Sequence, residues 1–172
     1  MKKLYILRHA KSASPSNIDD HERPLNKRGE DACKLIGKYL KSNNIVPEGI
    51  LCSTALRTKS TIKNILREAG FDKDVEFNKK LYLATAGEIL KELAKADDDI
   101  NSVMIICHNP GVQHLALVLF GGGDLEAAKK IKEKYSTAAM AEFSFQVDSW
   151  KNITPGSGHL EKYITPKMLG QI

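Results

Sequence analysis

The chain has 172 residues, 42% hydrophobic and 27% charged, with 26 basic residues against 21 acidic ones and a net charge of +5. This size and composition fit a single domain over 1–172 with a proper core, and exclude a disordered or fibrous chain. The mild positive charge suits an anionic partner, but no basic block is interleaved with aromatic residues, so no nucleic-acid partner is expected.

In chain order, Lys3 to Leu7 reads as a short buried strand. A helix follows over LNKRGEDACKLIGKYLKSNN, with Ala32, Leu35, Ile36, Tyr39 and Leu40 on one face and Asn26 as N-cap. EGILCS is a second strand. TALRTKSTIKNILREAG is a second helix, with Ile62, Ile65, Leu66 and Ala69 inward and Gly70 as its stop. VEFNKKLY gives an edge strand and turn. In TAGEILKELAKA, Thr85 and Glu88 have capping-box spacing. SVMIIC is apolar on both faces, as a buried strand should be. NPGVQHLALVLFG reads as a helix capped by Asn109 with Pro110 at its first position. GGGDLEAAKKIKEK reads as a turn and small helix. AMAEFSFQVDSW and GHLEKYIT read as late strands. The alternation predicts an α/β fold, a three-layer αβα sandwich around a mainly parallel sheet.

Three strands end in polar residues: Arg8 and His9 after the first, Arg57 just beyond the second, and His108 after the third long one. In an open parallel sheet the carboxyl ends of the strands line one edge, where ligands bind. Arg8, His9, Arg57 and His108 are therefore expected in one pocket. The helix starts after Ser53 and Asn109 would add their positive ends. Two arginines, two histidines and helix dipoles suit a doubly charged phosphate.

The same residues carry a family resemblance. LYILRHAKS resembles the Arg-His-Gly/Ala signature of the histidine phosphatase superfamily, the phosphoglycerate-mutase-like fold. The agreement continues through ERPLNKRGEDA, CSTALRTKST, CHNPGV and PGSGHLEKYITPKML, and together these resemble the compact SixA-type branch of phosphohistidine phosphatases. The resemblance implies His9 as nucleophile, with Arg8, Arg57 and His108 as the phosphate pocket. His9 would attack phosphorus in line, and water would then release phosphate from the phosphohistidine. Arg8 and Arg57 would clamp the phosphoryl oxygens, while His108 would donate to the charge developing in transfer. Arg23 is expected at the pocket's mouth, and Lys11, Ser12 and Asn109 are candidate substrate contacts. His21 and His114 have no motif around them and read as structural.

A general acid is not evident. The stretch FNKKLYLATAGE is short where other members carry an insertion with a Glu, and Glu88 is already explained by capping. Asp19, Asp20 and Glu22 precede Arg23 and lie within reach of the pocket. The lack of a strong acid suits a good leaving group such as the imidazole of a phosphohistidine. The short insertion suits a wide mouth and a protein-borne phosphate, such as a histidine phosphotransfer domain in signal transduction. A small-molecule phosphomonoesterase and a non-catalytic phosphate-recognition module are the alternatives.

Other chemistries fit less well. Cys52 and Arg57 have four residues between them, one short of a cysteine-phosphatase loop, so Cys52 reads as a small core residue. GGGD lacks the Lys of a P-loop, and ADDDIN precedes a strand where an aspartyl-phosphatase motif would end one. Neither a metal nor a cofactor is expected, since no ligand spacing is present. Cys33, Cys52 and Cys107 fit reduced thiols. No apolar run nears the ~20 residues of a membrane span, and the apolar stretch of MKKLYILRHAKS is too short for a signal peptide. The expected location is cytoplasmic, without membrane attachment.

Overall fold

The computed structural model describes residues 1–170; Gln171 and Ile172, the last two positions of the expected 1–172 span, lie outside the described residues. The elements are β1 (Lys2–Arg8), α1 (Lys27–Ser42), β2 (Gly49–Ser53), α2 (Leu56–Ala69), β3 (Glu76–Asn78), α3 (Ala86–Leu93) and β4 (Ser102–Cys107). They continue with α4 (Gly111–Leu119), β5 (Phe120–Gly123), α5 (Leu125–Glu133), β6 (Met140–Phe145), β7 (Gly158–Ile164) and α6 (Pro166–Leu169). The strands form one sheet in the order β3-β2-β4-β1-β6-β7-β5. The run β3-β2-β4-β1 is parallel throughout. β6 runs antiparallel to both β1 and β7, and β5 is parallel to β7.

The period-2 alternation of β1 divides the core. Leu4 and Ile6 face a cluster that includes Ile89, Leu93, Val112, Leu115 and Ile131 from α3, α4 and α5. Tyr5 and Leu7 face the opposite cluster, with Cys33, Ile36 and Leu40 of α1 and Ile62 and Ile65 of α2. Each fully buried aliphatic side chain stabilises the fold by about 1.5–3 kcal/mol. The result is the expected three-layer αβα sandwich with a mainly parallel sheet. Asn26 caps α1 through Gly29 N, and Thr85 with Glu88 forms the capping box of α3.

Two expectations need correction. GGGD is not a free turn: Phe120–Gly123 forms β5 and pairs with β7. Glycines usually weaken strands, but here they permit close approach, since a Cβ on Gly121 would lie 1.9 Å from Gly156 O. Nor does Asn109 cap α4. Pro110 takes the N-cap place, with φ −81° and ψ −4°, and no side chain caps the helix. The proline occupies the turn ahead of the helix rather than its first residue, and the Asn109 amide instead reaches Tyr135 O at 3.4 Å.

Candidate active site

The central strands place the chemistry. β1 and β4 are in parallel register with Arg8 opposite Cys107. The next residue on each strand is a histidine, so the register alone brings His9 beside His108. Their ring centroids are 5.3 Å apart. β2 lies on the other side of β4, and α2, which follows it, begins at Leu56. Arg57 is thereby carried to the same edge.

These side chains line a cavity of about 300 Å³, together with Lys11, Ser12, Asp20, Arg23, Leu83, Asn109 and Thr137. All eight residues singled out from the sequence line this one cavity: Arg8, His9, Lys11, Ser12, Arg23, Arg57, His108 and Asn109. A separate cavity of about 460 Å³ beside β2 and β3 is lined by no histidine or arginine. His114 is exposed on α4 and outside the cavity, as its structural reading expected. His21 binds Thr54 Oγ1 at 2.8 Å through Nε2 and packs edge-on against Tyr82.

His9 is only 8% exposed. Its Nδ1 lies 2.8 Å from the Ala10 carbonyl oxygen. A carbonyl can only accept, so the proton sits on Nδ1 and the lone pair on Nε2. Burial pushes the imidazole down to about 4; Arg8, Arg57 and Arg23 act in the same direction, against the Ala10 hydrogen bond. His9 is therefore neutral near pH 7 and carries a free lone pair. Ala10 N donates to Thr61 Oγ1 at 2.9 Å, which holds the turn after the strand against α2.

His108, 2% exposed, places Nε2 2.8 Å from Ser53 Oγ. Burial, reinforced by His9 and Arg57, pushes it down to about 3. As a neutral ring it still carries one N–H to donate. Arg8 donates through one terminal nitrogen to Tyr135 O at 2.7 Å. Arg57, 3% exposed, donates to Asp20 O at 2.7 Å and Asp20 Oδ2 at 3.0 Å. Arg23 reaches Asp20 Oδ1, Ala13 O and Ser12 Oγ, fixing its guanidinium at the mouth.

Among the described residues, four buried side-chain polar atoms have no hydrogen-bond partner: Arg8 Nε, Arg57 Nε, His108 Nδ1 and Asn109 Oδ1. All four belong to residues of this cavity. An unpaired buried polar group costs about 1–3 kcal/mol, and such cost collects where a ligand completes the pairing. Three of the four are nitrogens on residues of a cationic pocket, which suits an oxyanion.

Among the described residues, Asp20 is the one carboxylate lining the cavity. Tyr82 donates its hydroxyl to Asp20 Oδ2, and Arg23 and Arg57 donate as well. The Tyr82 bond, then the two arginines, hold the Asp20 carboxyl far below its ordinary range. The sequence placed Asp20 within reach of the site without fixing its role. Tyr82, whose ring meets His108 edge-on at 5.5 Å, was missed, as were Ser53's bond to His108, Leu83 and Thr137. Only Ser53, inside CSTALR, sat in a motif that would have drawn attention to it. Leu83 is 55% exposed, with φ 51°.

Cys52 is fully buried, and desolvation pushes its thiol up to about 12, which removes it as a nucleophile. No group of three or more His, Cys, Asp or Glu among the described residues is placed to hold a metal ion. No helix among them is long and apolar enough to cross a membrane.

Residues 4–82 match the family model of the histidine phosphatase superfamily (branch 1). An uncharacterized protein of Mycobacterium tuberculosis is 33% identical over 163 residues, covering 94% of this chain and 100% of the relative. Phosphohistidine phosphatase SixA of Escherichia coli is 27% identical over 133 residues, covering 69% of this chain and 74% of that protein. Among solved structures, the protein histidine phosphatase SixA complexed with tungstate matches with a TM-score of 0.79 at 24% identity, over 98% of this chain and 99% of the other. The fold extends to a Bacillus anthracis phosphoglycerate mutase, with a TM-score of 0.66 at 16% identity, over 88% of this chain and 95% of the mutase. Sequence likeness over the whole length of the mycobacterial relative and the family match across β1, α1 and α2 agree: the chain belongs to the histidine phosphatase superfamily and is a phosphatase.

Proposed function

We propose that this phosphatase removes the phosphoryl group from a phosphohistidine carried by another protein, through a phosphohistidine formed on His9. The lone pair on His9 Nε2 attacks phosphorus. The P–N bond of the substrate breaks, and its electron pair returns to the substrate ring, which leaves as neutral imidazole when its far nitrogen already carries a proton. Arg8, Arg57 and His108 stabilise the equatorial oxygens. His9 keeps its Nδ1 proton on Ala10 O throughout. Water then attacks phosphorus, the bond to Nε2 breaks, and its electrons return to His9. The water's proton leaves with phosphate.

The observation that carries the substrate choice is the state of Asp20. Among the described residues it is the one carboxylate lining the pocket, and three donors keep it ionised. An ionised carboxylate cannot protonate an alcohol leaving group, whereas an imidazole needs no such help. The E. coli relative is named a phosphohistidine phosphatase, and the tungstate bound to the SixA structure is a phosphate-like oxyanion. An exposed leucine at the mouth, Leu83, suits contact with a protein. A cytoplasmic signalling setting goes with this reading, and the three unpaired, buried cysteines fit a reducing compartment.

The test is phosphate release from an N-phosphorylated histidine phosphotransfer domain, beside a panel of small phosphomonoesters. The expected result is rapid release from the domain, slow turnover of the esters, and loss of both in His9→Ala. Preferential turnover of an ester would replace the substrate assignment. Equal release by His9→Ala would remove the mechanism.

A further inference from the structure

A groove of about 920 Å³ adjoins the catalytic pocket, and the two share Arg8, Lys11 and Thr137. Its remaining lining comes from Arg28, Lys134, Ser136, Thr165, Pro166, Lys167 and Gly170. Five of its residues are cations, supplied by the end of β1, the loop behind it, the first turn of α1, the end of α5 and α6. Among the described residues, no Asp or Glu lines it. Among the described residues, none of the five forms an ion pair; the ion pairs formed there involve His21, Arg23, Lys27, Arg57 and Lys95. Five unpaired cations around one groove repel one another and raise a positive potential, which favours an anionic occupant.

We propose that this groove binds an acidic polypeptide segment flanking the phosphorylated residue of the substrate, and so selects protein substrates by their Asp and Glu content. The inference rests on the reading of the His9 pocket as acting on a protein-borne phosphohistidine. The groove has three times the volume of the catalytic pocket, which suits several residues of chain rather than one additional phosphate. Ser136, Thr137 and Thr165 add hydroxyls for an extended backbone. A single-stranded nucleic acid is disfavoured because no aromatic side chain lines the groove to stack a base. Arg8 serves both cavities, so a segment lying in the groove is continuous with a phosphoryl group facing His9. Charge complementarity of this kind acts mainly on encounter and partner choice, and it weakens with salt.

The test is binding of a fluorescein-labelled, unphosphorylated ten-residue peptide rich in Asp and Glu, followed by anisotropy. A matched Asn and Gln peptide and a single-stranded oligonucleotide of equal charge are the comparators. The acidic peptide is expected to bind at least tenfold more tightly than the amide peptide, with the preference shrinking as salt is raised. Arg28→Glu with Lys167→Glu should erase the preference, and far-UV circular dichroism checks that this variant is folded. The single variant Lys167→Gln should reduce the preference partway. Equal binding of both peptides, a preference that survives the double reversal in a folded protein, or tighter binding of the oligonucleotide would overturn the proposal. Peptide binding needs no catalysis. Failure of phosphohistidine hydrolysis with the preference intact therefore removes only the catalytic reading.

Discussion

Arg57 and Asp20 face each other across the pocket mouth, Arg57 giving both terminal nitrogens to Asp20, at 2.7 Å to the backbone oxygen and 3.0 Å to Oδ2. The arginine that should meet the phosphoryl group is thus already aligned by an internal anion. That carboxylate orients Arg57, and it also repels an incoming dianion.

Asp20→Asn keeps the side chain's shape and removes its charge. The carboxylate is half-exposed, so solvent screens most of its repulsion. Inhibition by inorganic phosphate should strengthen by about fivefold, the equivalent of about 1 kcal/mol. Steady-state inhibition measurements decide this. Weaker phosphate inhibition in the variant would mean that aligning Arg57 matters more than the repulsion.

Gly29→Ala probes how α1 supports the loop after the nucleophile. A Cβ at Gly29 would lie 2.1 Å from Lys11 O and 3.0 Å from Lys11 C and N. The obstacle is backbone, so the loop must shift. Overpacking of this kind costs about 1–3 kcal/mol. Urea denaturation should show that loss, and kcat/KM should fall with it because Lys11 and Ser12 line the pocket. Unchanged stability and activity would show that the loop yields freely.

The buried histidines set a pH dependence. His9 is held at about 4 and His108 at about 3, each chiefly by burial. Both lie below the ordinary value near 6.5, so between these pH values the unfolded chain binds protons that the folded chain refuses. Stability therefore rises with pH across this window and falls as pH drops below 6.5. From pH 6.5 to 5 each histidine should cost about 2 kcal/mol. Urea denaturation at pH 7 and pH 5 should show the loss, and His108→Gln should reduce it. Ring signals of His9 in NMR should not titrate between pH 8 and 5.5; titration near 6.5 would contradict the neutral, buried nucleophile.

Much of this architecture is legible in the residues. Apolar strands that break into Arg8-His9 and Cys107-His108 indicate parallel strands opening on one edge, and the register of β1 with β4 places those ends side by side. The capping signals at Asn26 and Thr85 are local, so they read directly. What was not legible depends on distant partners. Phe120–Gly123 becomes a strand only because β7, nearly forty residues on, pairs with it. Asn109 loses its capping role because α4 begins at Gly111 with Pro110 in the N-cap place, and its amide turns to Tyr135 O of a distant loop. Tyr82 joins the site through Asp20 and His108, contacts that no spacing in the sequence announces.

The most direct test of the central claim is to capture the covalent intermediate. The enzyme is mixed with an N-phosphorylated histidine phosphotransfer domain, quenched within milliseconds in base, where phosphohistidine survives, and mapped by peptide mass spectrometry. One added phosphoryl group is expected on the peptide containing His9, formed before phosphate is released and absent in His9→Ala. Phosphate released at full rate with no phosphoryl group ever on that peptide would contradict it.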